Sequence, residues 1–127
     1  MELKLESREG YLLATAAGRV SLNEAVAFGE NICDAAAERG FAKILLDCFA
    51  VEGELTVTER FILGKTIAEH CAIRSMNHKV AVIGNPIMVT GLGAKVAWNR
   101  GLNVQTFPEL QAALAWLEGF GTKATAS

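Results

Sequence analysis

The 127-residue sequence predicts an α/β fold in which helices cover a mixed β-sheet, with the element order ββαβαβαβα. Three observations carry this prediction. Short apolar runs of strand length are closed by turn residues or an acid. Segments with apolar residues at helical spacing start at capping residues and stop at glycine. From about residue 20 onward the two kinds alternate. Strands alternating with helices call for right-handed parallel crossovers, whereas two β-like runs in direct succession call for an antiparallel pair.

The first run, Leu3-Lys4-Leu5-Glu6, alternates apolar and charged residues and reaches the turn cluster Arg8-Glu9-Gly10 before a second run from Tyr11 to Thr15. A hairpin follows from that spacing. Ser21-Leu22-Asn23-Glu24 is a capping box, in which the serine oxygen accepts from the first helical turn and the glutamate reaches back. Leu22, Ala25, Val26, Gly29, Ile32, Cys33 and Ala36 then recur at helical spacing and place one face on the sheet, and Gly40 suits a left-handed helix end. The run from Ala42 to Asp47 is short, apolar and closed by an acid, which predicts a central parallel strand with Asp47 at the rim of the sheet.

After the loop from Val51 to Leu55, Thr56-Val57-Thr58-Glu59 offers a second capping box, leading into a helix from about Thr58 to Ala72 whose apolar residues are Phe61, Ile62, Leu63, Ile67 and Cys71. The strand Lys79–Gly84 follows. Asn85-Pro86 then opens a helix carrying Val89, Leu92, Val96 and Ala97 and ending at Gly101. The last unit is the strand Asn103–Phe107, then Pro108-Glu109 and a helix with Leu110, Ala113, Leu114 and Leu117. Residues 1–119 form one domain in this reading, and 120–127 a loose tail.

Composition bounds the function. A domain of this length buries roughly two-thirds of its unfolded surface, and a sequence 51% hydrophobic and 20% charged is that of an ordered globular protein. The net charge of −2, with Lys and Arg scattered singly, provides no field for nucleic acid. No apolar run approaches the ~20 residues of a membrane span, and the charged start Met1-Glu2-Leu3-Lys4 is unlike a signal peptide. The expectation is a soluble, cytoplasmic protein. Cys33, Cys48 and Cys71 have spacings of neither a zinc ribbon nor a redox pair and read as reduced thiols packed as small apolar groups.

Residues able to do chemistry are few. His70, near a helix end, and His78, before a strand, read as solvated. Gly91-Leu92-Gly93-Ala94-Lys95 glances toward a phosphate loop but lies within a helical pattern, so it reads as close helix packing. Asp47, Glu54 and Glu59 form a solvated acidic rim, with no second element to fix them as an acid-base or metal site. Arg60 is placed to pair with Glu54 or Glu59, and Arg100 to satisfy carbonyls at a helix end. Trp98 and Trp116 sit beside core positions, which predicts partial burial. No catalytic residue, metal ligand or cofactor is assigned.

The element order, with Lys43-Ile44-Leu45-Leu46-Asp47, Lys79-Val80-Ala81-Val82-Ile83-Gly84, and Arg100–Phe107 running into Glu109–Leu117, resembles the STAS superfamily. This comprises the domains of anti-sigma-factor antagonists and sulfate-transporter tails, and the likeness is greatest to short stand-alone bacterial members. It covers the chain to about Gly119. It implies a non-enzymatic regulatory or protein-interaction module whose partner is a protein. In antagonist-type members the loop after the Asp strand carries a phosphorylated serine in Asp-Ser-Ser-Gly. Here the stretch is Glu52-Gly53-Glu54-Leu55-Thr56-Val57-Thr58-Glu59, without serine, and Thr56 and Thr58 are the nearest hydroxyls. A phosphate at a helix start would meet unpaired N–H groups, while the flanking glutamates would repel it.

The resemblance thus implies partner recognition on loop 52–58 and the helix that follows, through Asp47, Glu52, Glu54, Thr56, Thr58 and Arg60, with Thr56 and Thr58 as the candidate phosphorylation sites. The edge made by the first hairpin could support a homodimer. The alternative is a carrier for a small ligand, a lipid or nucleotide, in a pocket lined by Phe61-Ile62-Leu63. An enzyme built on Asp47 and the acidic loop ranks last for want of a base or nucleophile.

Overall fold

Gly10, at φ 88°, turns the chain between β1 (Glu2–Arg8) and β2 (Tyr11–Arg19), which pair antiparallel from Arg8 opposite Tyr11 to Glu2 opposite Ala17. The computed structural model describes residues 1–73, 78–84 and 103–119. Beyond the hairpin, β3 (Lys43–Glu52), β4 (Lys79–Ile83) and β5 (Asn103–Phe107) complete a five-stranded sheet in the order β1-β2-β3-β4-β5. The pairs β2–β3, β3–β4 and β4–β5 are all parallel. This is the mixed sheet that the sequence predicts. The third crossover helix expected around Val89–Ala97, with Gly91–Lys95, Trp98 and Arg100, and the tail at 120–127 lie outside the described residues.

The helices start and stop where their caps dictate. α1 (Leu22–Arg39) begins at Ser21, whose Oγ accepts from the Glu24 N–H at 3.4 Å. The Glu24 carboxylate does not reach the serine backbone as expected: Oε1 accepts from the Ser21 hydroxyl at 3.0 Å and Oε2 from the Met1 amino group at 3.0 Å. These two bonds, the Met1 contact first, hold its pKa below the ordinary carboxylate range. At the other end Gly40 is left-handed, at φ 77°. Its N–H reaches the Ala37 carbonyl and that of Phe41 reaches Ala36, the paired bonds of a Schellman cap. α2 (Val57–Ile73) and α3 (Leu110–Glu118) complete the described elements.

Period-two alternation divides the strand residues between two cores. Leu12, Ala14 and Ile44 meet Ile32 and Ala36 of α1, and Cys33 joins Ala68 and Cys71 of α2 and Val104 of β5. On the other face Leu45, Ala81 and Ile83 meet Ala113 and Leu117 of α3. Helices α1 and α2 therefore cover one face and α3 the other. Trp116, half-buried as predicted, packs on Phe107 with ring centroids 5.5 Å apart. Lys79 places its ammonium 4.5 Å from the Trp116 ring centroid and also donates to the Trp116 carbonyl.

The α2 packing is built from small residues, and the expectations for both histidines are corrected. On α2 the buried residues are Gly64, Ala68 and Cys71, while Phe61 and Ile62 are 44% and 40% exposed. Small residues let α2 approach α1 so closely that a Cβ on Gly29 would lie 2.4 Å from Ile67 Cδ1. His70 is not simply solvated: its Nε2 lies 2.9 Å from Asp34 Oδ1 and its Nδ1 3.5 Å from Glu30 Oε2, both on α1. His78 is buried, at 6% exposure, because the Lys79 N–H bonds to the Ala42 carbonyl and draws the start of β4 against the α1–β3 loop. Burial lowers its pKa, opposed by the Phe41 backbone. No helix among the described residues is long and apolar enough to cross a membrane.

Candidate functional site

The predicted site residues all fall on one stretch of chain, from the middle of β3 into the first turn of α2. β4 leaves β3 at the pair Asp47–Ile83, but β3 does not end there as predicted. It continues along β2 to pair Arg19 with Glu52, so this part of the strand projects past β4. Between the pairs Thr15–Asp47 and Ala17–Ala50 the register shifts, with one more residue on β3 than on β2. This is a β-bulge. Asp47 serves it: Oδ1 accepts from the Phe49 N–H at 3.0 Å. Phe49 itself stands 52% exposed, while Cys48 is half-buried, its thiol pushed up to about 12 by burial and the Asp47 charge.

Glu52 ends the strand by accepting the Val20 N–H at 2.9 Å. Gly53 then turns the chain at φ 79°, against the Arg19 and Val20 side chains, a conformation that favours glycine. Arg60 resolves the alternative left by the sequence: it pairs with Glu54, Nη2 to Oε2 at 3.0 Å. Glu59 is engaged elsewhere, because Thr56 and Glu59 form the predicted capping box. The Glu59 N–H bonds to Thr56 Oγ1 at 3.1 Å, and Glu59 Oε1 accepts the Thr56 N–H at 2.9 Å. Thr56 is therefore the cap, α2 starts at Val57, one residue before the predicted start, and Thr58 lies exposed inside its first turn.

The arrangement does not gather the carboxylates. Asp47 serves the bulge, Glu54 the arginine and Glu59 the cap, and among the described residues no three His, Cys, Asp or Glu side chains are grouped to hold a metal ion. What this stretch of chain carries instead is exposed apolar side chains. Phe49, Val57, Phe61 and Ile62 are 52%, 66%, 44% and 40% exposed, and among the described residues only Leu110, on α3, is a comparably exposed large hydrophobic residue. Val57 and Phe61 are four residues apart and share a helix face. The sequence analysis did not single out Phe49 or Val57. For Val57 the one available signal was its place between Thr56 and Thr58 in the capping box; Phe49 lies in the apolar run Cys48-Phe49-Ala50-Val51 and carried none.

No protein-family model matches the sequence, and a search of curated proteins finds no match. Solved structures do match. An anti-sigma factor antagonist from Mycobacterium paratuberculosis is similar at 15% identity with a TM-score of 0.62, over 92% of this chain and 93% of that one. An uncharacterised DUF3478 protein with a SpoIIAA-like fold from Shewanella loihica is similar at 20% identity with a TM-score of 0.54, over 91% and 92%. The antagonist SpoIIAA in its unphosphorylated form gives 12% identity and a TM-score of 0.52, over 93% and 99%. With the strand order and helix placement above, these likenesses establish that the chain has a STAS-like, SpoIIAA-like fold.

Proposed function

We propose that this protein is a non-enzymatic regulatory module that binds a protein partner through the bulge of β3, loop 52–58 and the first two turns of α2. The observation that carries the reading is the exposure of Phe49, Val57, Phe61 and Ile62 along one short stretch of chain, which also carries the Glu54–Arg60 pair. Exposed apolar side chains rimmed by charge are the composition of a recognition surface. The Thr56–Glu59 box and the Asp47–Phe49 bond hold the surface in shape, which lowers the ordering cost of binding. Two of the structural neighbours are anti-sigma factor antagonists, which supports a protein partner. Asp47, Thr56 and Glu59 position the surface, and Glu52, Glu54, Thr58 and Arg60 contribute its polar rim.

Thr58 is the better of the two hydroxyls for phosphorylation. The Thr56 oxygen is committed to the cap, whereas Thr58 is exposed on the first turn, where added negative charge meets the positive end of the helix. The repulsion expected from the loop is reduced, since Arg60 already pairs with Glu54. The exposure of Phe61 and Ile62 favours a surface contact over the small-ligand carrier. The test is partner capture by wild-type protein, Thr58→Glu, Phe61→Asp and, as a distant control, Lys4→Glu on β1. Loss of the same protein with the two α2 variants and retention with Lys4→Glu supports the proposal; equal capture by all four refutes it.

A further inference from the structure

One turn beyond the Gly29–Ile67 contact, α1 and α2 bring two cysteines together. Cys33 and Cys71, at 3% and 2% exposure, have their sulfurs 2.8 Å apart as free thiols. Each lies four residues past its partner in the tight contact, Gly29 before Cys33 and Ile67 before Cys71, so the two rungs set the helices in parallel register. A third tie stands beside them: His70, next to Cys71 in sequence, bonds Asp34, next to Cys33, at 2.9 Å and faces Glu30 at 3.5 Å. A disulfide bond is about 2.05 Å long, and the sulfurs are already within about 1 Å of it.

The geometry points to a reversible redox site in which Cys33 and Cys71 close a disulfide that locks α2 onto α1, with a hydroperoxide as oxidant and a low-molecular-weight thiol as reductant. Cys71 reacts first, as its thiolate. The contact with Cys33 lowers its pKa, opposed by burial and the Asp34 charge and helped by the neighbouring His70, whereas that same contact, burial and the charges of Asp34 and Glu30 all raise that of Cys33. The Cys71 sulfur attacks one peroxide oxygen. An S–O bond forms, the O–O bond breaks, and the departing oxygen takes up a proton to leave as alcohol or water, giving a sulfenic acid. Cys33 gives up its proton and attacks that sulfur; the S–S bond forms, the S–O bond breaks, and hydroxide leaves as water with the proton. Two thiols have delivered two electrons to the peroxide. Two molecules of the small thiol reverse the reaction by exchange and leave as their own disulfide.

The bond would close a loop across 38 sequence positions and hold the helix that carries the exposed corner. Native, fully reduced protein is treated with a few equivalents of hydrogen peroxide and its intact mass measured. The expected result is a loss of about 2 Da, reversed by dithiothreitol. Peptide mapping without reductant should link the Cys33 and Cys71 peptides. Cys33→Ala and Cys71→Ala should abolish the link, Cys48→Ala should leave it, and the oxidised protein should melt at higher temperature than the reduced. Retention of the reduced mass, a link through Cys48, a link formed only after unfolding, or an oxidised form melting no higher than the reduced would overturn the inference.

Discussion

Thr56 and Glu59 hold the start of α2 from both sides, the glutamate N–H on the threonine hydroxyl and the threonine N–H on the glutamate carboxylate. Two of the unpaired backbone groups at this corner are satisfied by side chains. Thr56→Ala is expected to cost about 1 kcal/mol, the typical value of an N-cap, while Thr58→Ala should stay within about 0.5 kcal/mol. Urea denaturation of both variants checks this; equal losses would show the cap assignment to be wrong.

The exposed corner makes a second prediction, because a surface kept for binding contributes little to folding. Val57→Asp should change stability by no more than about 0.5 kcal/mol, an acid in the first turn being favoured by the helix dipole, and Phe61→Asp, at a position 44% exposed, should cost less than a core substitution. In contrast Leu12→Ala, at a fully buried position, should cost about 2–5 kcal/mol. Thermal melts of the three variants separate surface from core.

At the α1–α2 contact the steric margin is gone. Gly29→Ala places its methyl 2.4 Å from Ile67 Cδ1, and overpacking of this kind costs about 1–3 kcal/mol, more than the roughly 0.8–1 kcal/mol gained in helix propensity. A net loss is expected. Adding Ile67→Val removes the clashing carbon, and the double variant should be more stable than Gly29→Ala alone. Additive effects of the two substitutions would contradict the contact.

His78 gives the fold an acid-sensitive element. Its pKa is lowered by burial, so below about 6.5, the ordinary imidazole value, the unfolded chain binds a proton that the folded chain does not. Its contribution is intact above that pH and is lost as pH falls toward the lowered folded value. Stability of His78→Gln, whatever its absolute level, should fall less steeply than that of wild type between pH 6.5 and 5. Parallel pH profiles would assign the acid sensitivity elsewhere.

Where structure depends on chemistry within a few residues, the sequence is a sufficient guide. Ser21, Gly40 and the Thr56–Glu59 box mark helix ends because a cap satisfies only its own turn. Asp47 misled because an acid closing an apolar run reads as a strand end, whereas β3 continues to Glu52 on pairing with β2, a contact between distant segments. On α2 apolar residues surround the helix, so no stripe marks the buried face; Gly64 and Ala68 carry the packing because α1 lies so close. The burial of His78 and the meeting of Cys33 with Cys71 likewise depend on tertiary placement. Of the candidate site, the Thr56–Glu59 box and the Arg60–Glu54 pair were legible, because each is a contact within six residues, whereas the exposure of Phe49 and Val57 was not.

The most direct test of the recognition surface is a photo-crosslinking amino acid placed at Thr58 and, in a separate sample, at Glu9 in the β1–β2 turn. The account predicts that, on irradiation in cells, position 58 forms a covalent product with one defined protein, that Phe61→Asp abolishes this product, and that position 9 does not form it. The same product from both positions, or none from position 58, would contradict the placement of the partner on loop 52–58 and α2.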